Sequence, residues 1–204
     1  MSLLEFRSIA RHFGGLKAID AVSFNVQEGE TVGLIGPNGA GKSTVFNLLT
    51  KFLQPSAGSI MVGETDITRM APAQVARLGV ARSFQISATF GDMSLVDNVC
   101  VALQRQNGLA VQFWRSLASL SRLRPRAMEL LGRVGLADMA EHRAADLSYG
   151  RKRALEIATT LALDPKVLLL DEPLAGMGQE DVETMAQLIS DVARDCAVLM
   201  VEHN

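Results

Sequence analysis

Nine residues constrain this chain more than any others: Gly36-Pro37-Asn38-Gly39-Ala40-Gly41-Lys42-Ser43-Thr44. They satisfy the pattern Gly-x-x-x-x-Gly-Lys-Ser/Thr. Before them, Thr31-Val32-Gly33-Leu34-Ile35 is a short apolar run of strand type; after them, Val45, Phe46, Leu48 and Leu49 recur at helical spacing. Strand, glycine-rich loop and helix in that order make a cradle for an anion. The glycines let successive backbone N–H groups turn inward with no Cβ in the way, and the helix adds its positive N-terminal end. Lys42 then supplies a point charge for the β- and γ-phosphates of a nucleotide, and the Ser43 hydroxyl a ligand for Mg²⁺. With Gly at about 7% of residues in ordinary proteins, a chance match in a chain of this length is on the order of 1%.

The rest of the chain must decide what such a loop is for. At 204 residues, 48% hydrophobic and a net charge of -2, the chain is too apolar and too nearly neutral for disorder, and long enough for one domain with a sub-domain. Its longest apolar stretches, such as residues 167–170 and 197–201, fall far short of the roughly 18–20 residues of a bilayer span. Glu5 interrupts the only apolar run at the N-terminus and no small-residue cleavage site follows, so a cytosolic protein without a secretory signal is expected. Cys100 and Cys196 lie far apart in apolar surroundings without Cys-x-x-Cys spacing, as buried reduced thiols do. The near-neutral charge gives no electrostatic reason to expect nucleic acid.

Along the chain, residues 18–26 alternate apolar and polar over their second half, as a half-buried strand does, and Gln27-Glu28-Gly29-Glu30 turns the chain. Residues 58–62 read as a strand, 72–78 as a short helix with Pro72 in its first turn, and 80–84 as another strand. From Ser94 to about Ala145 strand-type runs vanish and apolar residues recur at helical intervals, as in Leu117, Leu120 and Leu123 and then Met128, Leu130, Leu131 and Val134. This predicts a helical sub-domain over about 92–146. Within it Arg122-Leu123-Arg124-Pro125-Arg126 reads as a solvated joint between two helices. A helix over 151–163, a buried strand over 167–170, an amphipathic helix over 180–193 and a buried strand over 197–201 follow, and this alternation implies a mainly parallel sheet.

Two further clusters carry chemistry. The apolar run Val167-Leu168-Leu169-Leu170 ends in Asp171-Glu172-Pro173. Such a strand leaves the sheet at its carboxyl edge, where the loop also lies. Adjacent residues in extended chain face opposite ways, which lets Asp171 hold Mg²⁺ through its water shell while Glu172 polarises the water that attacks the γ-phosphorus. Upstream, Leu147-Ser148-Tyr149-Gly150-Arg151 opens the 151–163 helix, with Ser148 as N-cap and Gly150 allowing close backbone approach, a second anion-binding helix end. No Asn-Lys-x-Asp segment is present to read guanine.

With the loop at 36–44, the Leu-Ser-x-Gly signature at 147–151 and the acidic strand at 168–172, the chain resembles the nucleotide-binding domain of the ATP-binding cassette (ABC) family over essentially its whole length. The resemblance implies an α/β P-loop NTPase: a mainly parallel sheet flanked by helices, an N-terminal antiparallel β part and an inserted helical sub-domain, all in one ATPase domain over 1–204. It implies that ATP and Mg²⁺ are bound by Gly36, Asn38, Gly39, Ala40, Gly41, Lys42, Ser43 and Thr44, with Ser148, Tyr149 and Gly150 meeting the nucleotide of a second subunit. Phe13 corresponds to the adenine-stacking aromatic, Gln85 to the loop glutamine that touches Mg²⁺ and the attacking water, and His203 to the switch histidine on the γ-phosphate. Catalysis would rest on Glu172, His203 and Gln85, and Mg²⁺ on Ser43, Gln85 and Asp171.

The segments His12-Phe13-Gly14-Gly15-Leu16-Lys17-Ala18, Ala81-Arg82-Ser83-Phe84-Gln85 and Leu174-Ala175-Gly176-Met177, with Tyr149 in the signature, are similar to cassettes of importers of branched-chain amino acids. Urea importers and a lipopolysaccharide exporter use similar cassettes, and a non-transport cassette protein or a P-loop kinase are the readings from other classes. The implied partners are a second cassette, in a homodimer or heterodimer, and integral-membrane permease subunits; the implied place is peripheral, on the cytoplasmic face of the inner membrane. Arg151 stands where glutamine is usual and Gly178 where Asp or Asn is common. Relatives continue past the position of His203, so a truncated cassette is expected, with weakened ATPase activity, a mobile His203 and an open strand edge beside residues 198–201.

Overall fold

A computed structural model of the chain describes residues 2–83, 89–106 and 122–202. Gln85 and His203 lie outside the described residues, as do Phe84, Leu117 and Leu120. The chain divides into two compact units: Met1–Arg82 with Lys166–Ala175 and Ile189–Asn204, and Ser83–Pro165 with Gly176–Leu188.

The first unit holds two sheets. Strands β1 (Ser2–Phe13), β2 (Leu16–Gln27), β4 (Ala57–Val62) and β5 (Thr65–Asp66) form an antiparallel sheet in the order β2-β1-β4-β5. Strands β3 (Thr31–Ile35), β6 (Val80–Arg82), β7 (Val167–Asp171) and β8 (Ala197–Glu202) form a parallel sheet in the order β3-β8-β7-β6. Two helices belong to the same unit, α1 (Lys42–Leu49) and α2 (Pro72–Arg77), the second with Pro at its start as its sequence predicts. One core joins them: Leu4, Phe6 and Ile9 of β1, Val45, Phe46, Leu48 and Leu49 of α1, and Leu169, Leu199 and Val201 of the parallel sheet are all buried together. Each such side chain contributes about 1.5–3 kcal/mol on burial, which outweighs the lack of a side-chain cap on α1.

The long strand β1 is bent where Ser8 has φ 46, and the register with β2 shifts between Phe6 and Ile9. Gly58 fits against that bend, since a Cβ there would lie 2.4 Å from the Ser8 carbonyl oxygen. All five residues of β7 are buried, which is why it reads as an unbroken apolar run. The expectation of an open edge beside residues 198–201 is corrected: β8 lies between β3 and β7 with Val198, Leu199 and Val201 at most 1% exposed. Among the described residues the edge strands are β3 and β6, and Ile35 of β3 is 71% exposed.

Lys51, just past the C-terminus of α1, is 5% exposed, with φ 65 and, among the described residues, one long hydrogen bond from Nζ to the Thr68 carbonyl oxygen at 3.4 Å. Burial lowers its pKa from 10.5 to about 8, and the charge of Asp66 only partly offsets this. Because the folded value lies below the unfolded one, the penalty on the native state builds as pH falls from 10.5 and is complete below about 8, on the order of 3 kcal/mol. Lys51→Met is therefore expected to melt higher than the parent at pH 7 and to lose the rise in stability between pH 8 and 10.5; a Lys51→Met profile that keeps this rise would assign it to another group.

The second unit is helical among its described residues: α3 (Leu95–Gln106), α4 (Arg124–Arg133), α5 (Tyr149–Leu161) and short 3₁₀ turns at Ala137–Met139 and Ala144–Asp146; α6 (Gln179–Val192) begins in it. Leu95, Val96, Val99, Leu130, Leu131 and Leu155 form its interior. Ser94 caps α3: its Oγ accepts from the Asp97 N–H at 3.2 Å and donates to Asp97 Oδ2 at 2.6 Å. Buried Asn98 ties α3 to the preceding turn, accepting from Phe90 N–H and donating to the Phe90 and Ser94 carbonyls. In the basic run at 122–126, Arg124 and Arg126 lie exposed in the first turn of α4, paired with Glu141 and Glu129, and Pro125 suits a helix start; whether the run joins two helices depends on residues outside the described ones.

Candidate functional site

The phosphate loop runs from the end of β3 at Ile35 to the start of α1 at Lys42. Gly39 and Gly41 have φ of 82° and 89°, left-handed values that L side chains rarely adopt. At Gly41 a Cβ would also lie 2.8 Å from the Ala18 carbonyl oxygen of β2, so strand and loop meet there with no room for a side chain. Gly41 is the N-cap of α1 and offers no side-chain cap, which leaves the first-turn N–H groups for an anion. Lys42 is 9% exposed, and its Nζ donates to the carbonyl oxygens of Gly36 at 2.5 Å and Pro37 at 3.0 Å. Asn38, Gly39, Ala40 and Ser43 are exposed, and Gly36 and Thr44 half-buried.

The acidic pair reaches the same edge of the same sheet. In the parallel register Ile35 pairs with Glu202, and Asp171 with Val201, so β3, β8 and β7 end together. Asp171 is 7% exposed and its Oδ2 accepts from Arg82 Nη2 at 2.5 Å. Glu172 is not extended: β7 ends at Asp171 and Glu172 has φ 49. The two carboxylates are thus set apart by a left-handed turn and not by strand alternation. The Glu172 N–H donates to the Val201 carbonyl at 2.9 Å, and the Leu174 N–H to Glu202 Oε1 at 3.0 Å, which fixes the turn on β8. A non-glycine residue held at positive φ costs on the order of 1–3 kcal/mol and persists where surrounding bonds over-determine it, as they do here.

Phe13 closes β1 opposite Leu16, 42% exposed, with the Arg11 guanidinium 4.6 Å from its ring centre and held in turn by the Gln54 carbonyl at 2.8 Å. One ring face is covered and the side chain is half open to solvent.

In the second unit Ser148 is the N-cap of α5, as expected, though its hydroxyl makes no cap hydrogen bond. Tyr149 is 49% exposed, and its hydroxyl accepts from Arg153 Nη2 at 3.1 Å. Gly150 faces Asp181, whose carboxylate carbon a Cβ there would approach to 3.2 Å. Gly176, with φ 74, lies beside Tyr149, and nothing lies within 4 Å of a Cβ at Gly178. Arg151 is exposed.

Sequence reasoning missed the half-buried Arg82 and the buried charges Arg153, Glu156 and Glu202. Arg153 donates to Glu156 Oε2 at 2.8 Å. Burial disfavours the Arg153 charge, but its bonds to Glu156 and Tyr149 outweigh that and raise its pKa. An Arg-x-x-Glu spacing inside an apolar helix is a readable signal for this pair. Nothing in the sequence signals Arg82 with Asp171, which are 89 positions apart.

For a divalent metal the donor set is informative. Among the described residues no group of three or more His, Cys, Asp or Glu side chains converges, so no all-protein cage exists. One hydroxyl, Ser43, and one carboxylate, Asp171, are hard oxygen donors; a metal held by them needs phosphate oxygens and water to complete its shell, as Mg²⁺ does. The residues fit that ion.

Comparisons with known proteins agree with this geometry. The ABC transporter family model matches residues 19–175. The chain is 38% identical over 209 residues to the high-affinity branched-chain amino acid transport ATP-binding protein LivG of Salmonella typhimurium, covering 99% of this chain and 82% of that protein. It is 38% identical over 211 residues to the corresponding BraF of Pseudomonas aeruginosa, with the same coverage. The crystal structure of the ADP conformation of an ATP-binding cassette of an ABC transporter superposes with a TM-score of 0.85 at 26% identity, covering all of this chain and 82% of that one.

Proposed function

Because the chain belongs to the ABC transporter family, we propose that it is the ATP-hydrolysing subunit of a transporter for branched-chain amino acids. The observation that carries the reading is the common edge at which β3, β8 and β7 end, delivering the phosphate loop and the acidic pair to one place. In this reading the loop N–H groups of Gly36, Asn38, Gly39, Ala40 and Gly41 with Lys42 and Thr44 hold the phosphates, and Phe13 offers its open face to the adenine. Ser43 and Asp171, with Gln85, would hold Mg²⁺, which supplies charge neutralisation on the β- and γ-phosphates. Glu172 accepts the proton of the attacking water, and the left-handed turn anchored to Val201 and Glu202 aims it. His203 contacts the γ-phosphate.

Ser148, Tyr149 and Gly150 would close over the nucleotide of a second cassette, so that two subunits share two ATP molecules. ATP then acts as the adhesive and hydrolysis as the release, driving integral-membrane permease subunits from the cytoplasmic face of the membrane. Among the described residues no helix is long and apolar enough to cross a membrane. The match to two branched-chain amino acid transport proteins supports the solute class.

The test is co-purification with its permease followed by reconstitution into vesicles. ATP-dependent uptake of labelled leucine, isoleucine or valine is expected. Uptake of another solute instead would replace the substrate, and phosphoryl transfer from ATP to a small acceptor would make the chain a kinase.

A further inference from the structure

Arg82, a half-buried cation of the first unit, is tied to residues of two other elements. It ends β6, three positions before Gln85 in sequence. Its Nη2 donates to Asp171 Oδ2 at 2.5 Å, its Nη1 to Asn47 Oδ1 at 3.0 Å, and its guanidinium carbon lies 5.3 Å from the Phe46 ring centre. The side chains of Arg82 and Asp171 are 13% and 8% exposed. Asn47 and Phe46 belong to α1, the helix that begins at Lys42 and Ser43. One guanidinium therefore joins the strand leading toward Gln85, the helix carrying the phosphate loop and the strand carrying Asp171. A buried carboxylate needs a counter-charge, and here the chain supplies its own.

We propose that Arg82 is a positioning residue and the resident counter-ion of Asp171. It ties the β7 carboxylate to Asn47 of α1 and tempers its attraction for a divalent cation. The proposal rests on the nucleotide-site reading above. The consequence separates it from a plain structural bond. Two positive charges compete for one carboxylate, so removing the guanidinium leaves Asp171 under-compensated and strengthens cation binding, while loosening the carboxylate's position slows turnover. A residue that merely stabilised the fold would weaken both on removal.

The experiment titrates Mn²⁺ into protein held in excess over ADP and follows the free-Mn²⁺ EPR signal, with ATP turnover measured in parallel. Arg82→Met is expected to bind Mn²⁺ about tenfold tighter and to turn over about tenfold more slowly. Arg82→Lys, which keeps the charge, should restore the parent's Mn²⁺ affinity. In Asp171→Asn, where no charge needs compensation, Arg82→Met should change Mn²⁺ affinity less than about twofold. If Arg82→Met does not fold, Arg82→Gln is the neutral replacement and should also bind Mn²⁺ tighter. Unchanged or weaker Mn²⁺ binding in the neutral variant overturns the proposal. Failure of the parent to bind ADP, with chelator present, overturns the nucleotide-site reading instead.

Discussion

Glu172→Gln is expected to cut ATP turnover by at least about 100-fold while ATP-loaded dimers accumulate, because general-base assistance is worth roughly 10²–10⁴ in rate. The substitution keeps the side chain's shape and leaves the backbone bond from residue 172 to the Val201 carbonyl at 2.9 Å in place. The left-handed turn at φ 49 is set by that bond and by Leu174 on Glu202, neither of which involves the 172 carboxylate. Folding and nucleotide binding should therefore survive, and the loss should fall on kcat. Size-exclusion chromatography with ATP and Mg²⁺ reads the dimer, and phosphate release reads the turnover. Unchanged turnover would remove Glu172 from the role of base.

The second large effect is at Lys42. Its ammonium is almost fully buried in the loop, bonded to the carbonyls of Gly36 and Pro37. A bound nucleotide would offer it phosphate oxygens in place of those neutral acceptors. Hydrogen bonds to charged groups contribute about 1.5–3 kcal/mol each, so losing two of them predicts a fall in ATP affinity of roughly 10²–10⁴ in Lys42→Ala. Isothermal titration with ATP measures it, and the nucleotide-free melting temperature checks that the fold persists. Near-normal affinity in a folded Lys42→Ala protein would sink the phosphate-loop assignment.

Local chemistry was legible from residue order. Glycines at 39 and 41 are needed because the backbone there is left-handed, and at 41 because β2 also presses on it, and that need is written into the spacing of the loop. The apolar run of β7 followed by two acids, the Pro at the start of α2 and the N-cap position of Ser148 were readable for the same reason: each depends on neighbours within a few positions.

The sequence by itself determined the class of chemistry: an anion cradle, a pair of acids and a second helix end, in the order and context of one family. Only the tertiary structure decided how the acids are set apart and what neutralises them. The turn at Glu172 is imposed by hydrogen bonds donated to β8, whose residues lie about thirty positions away, and the counter-charge on Asp171 comes from β6, 89 positions away. Local sequence sets backbone preferences over a few residues, whereas burial of a charge is settled by whichever distant side chain the packed sheet brings to it.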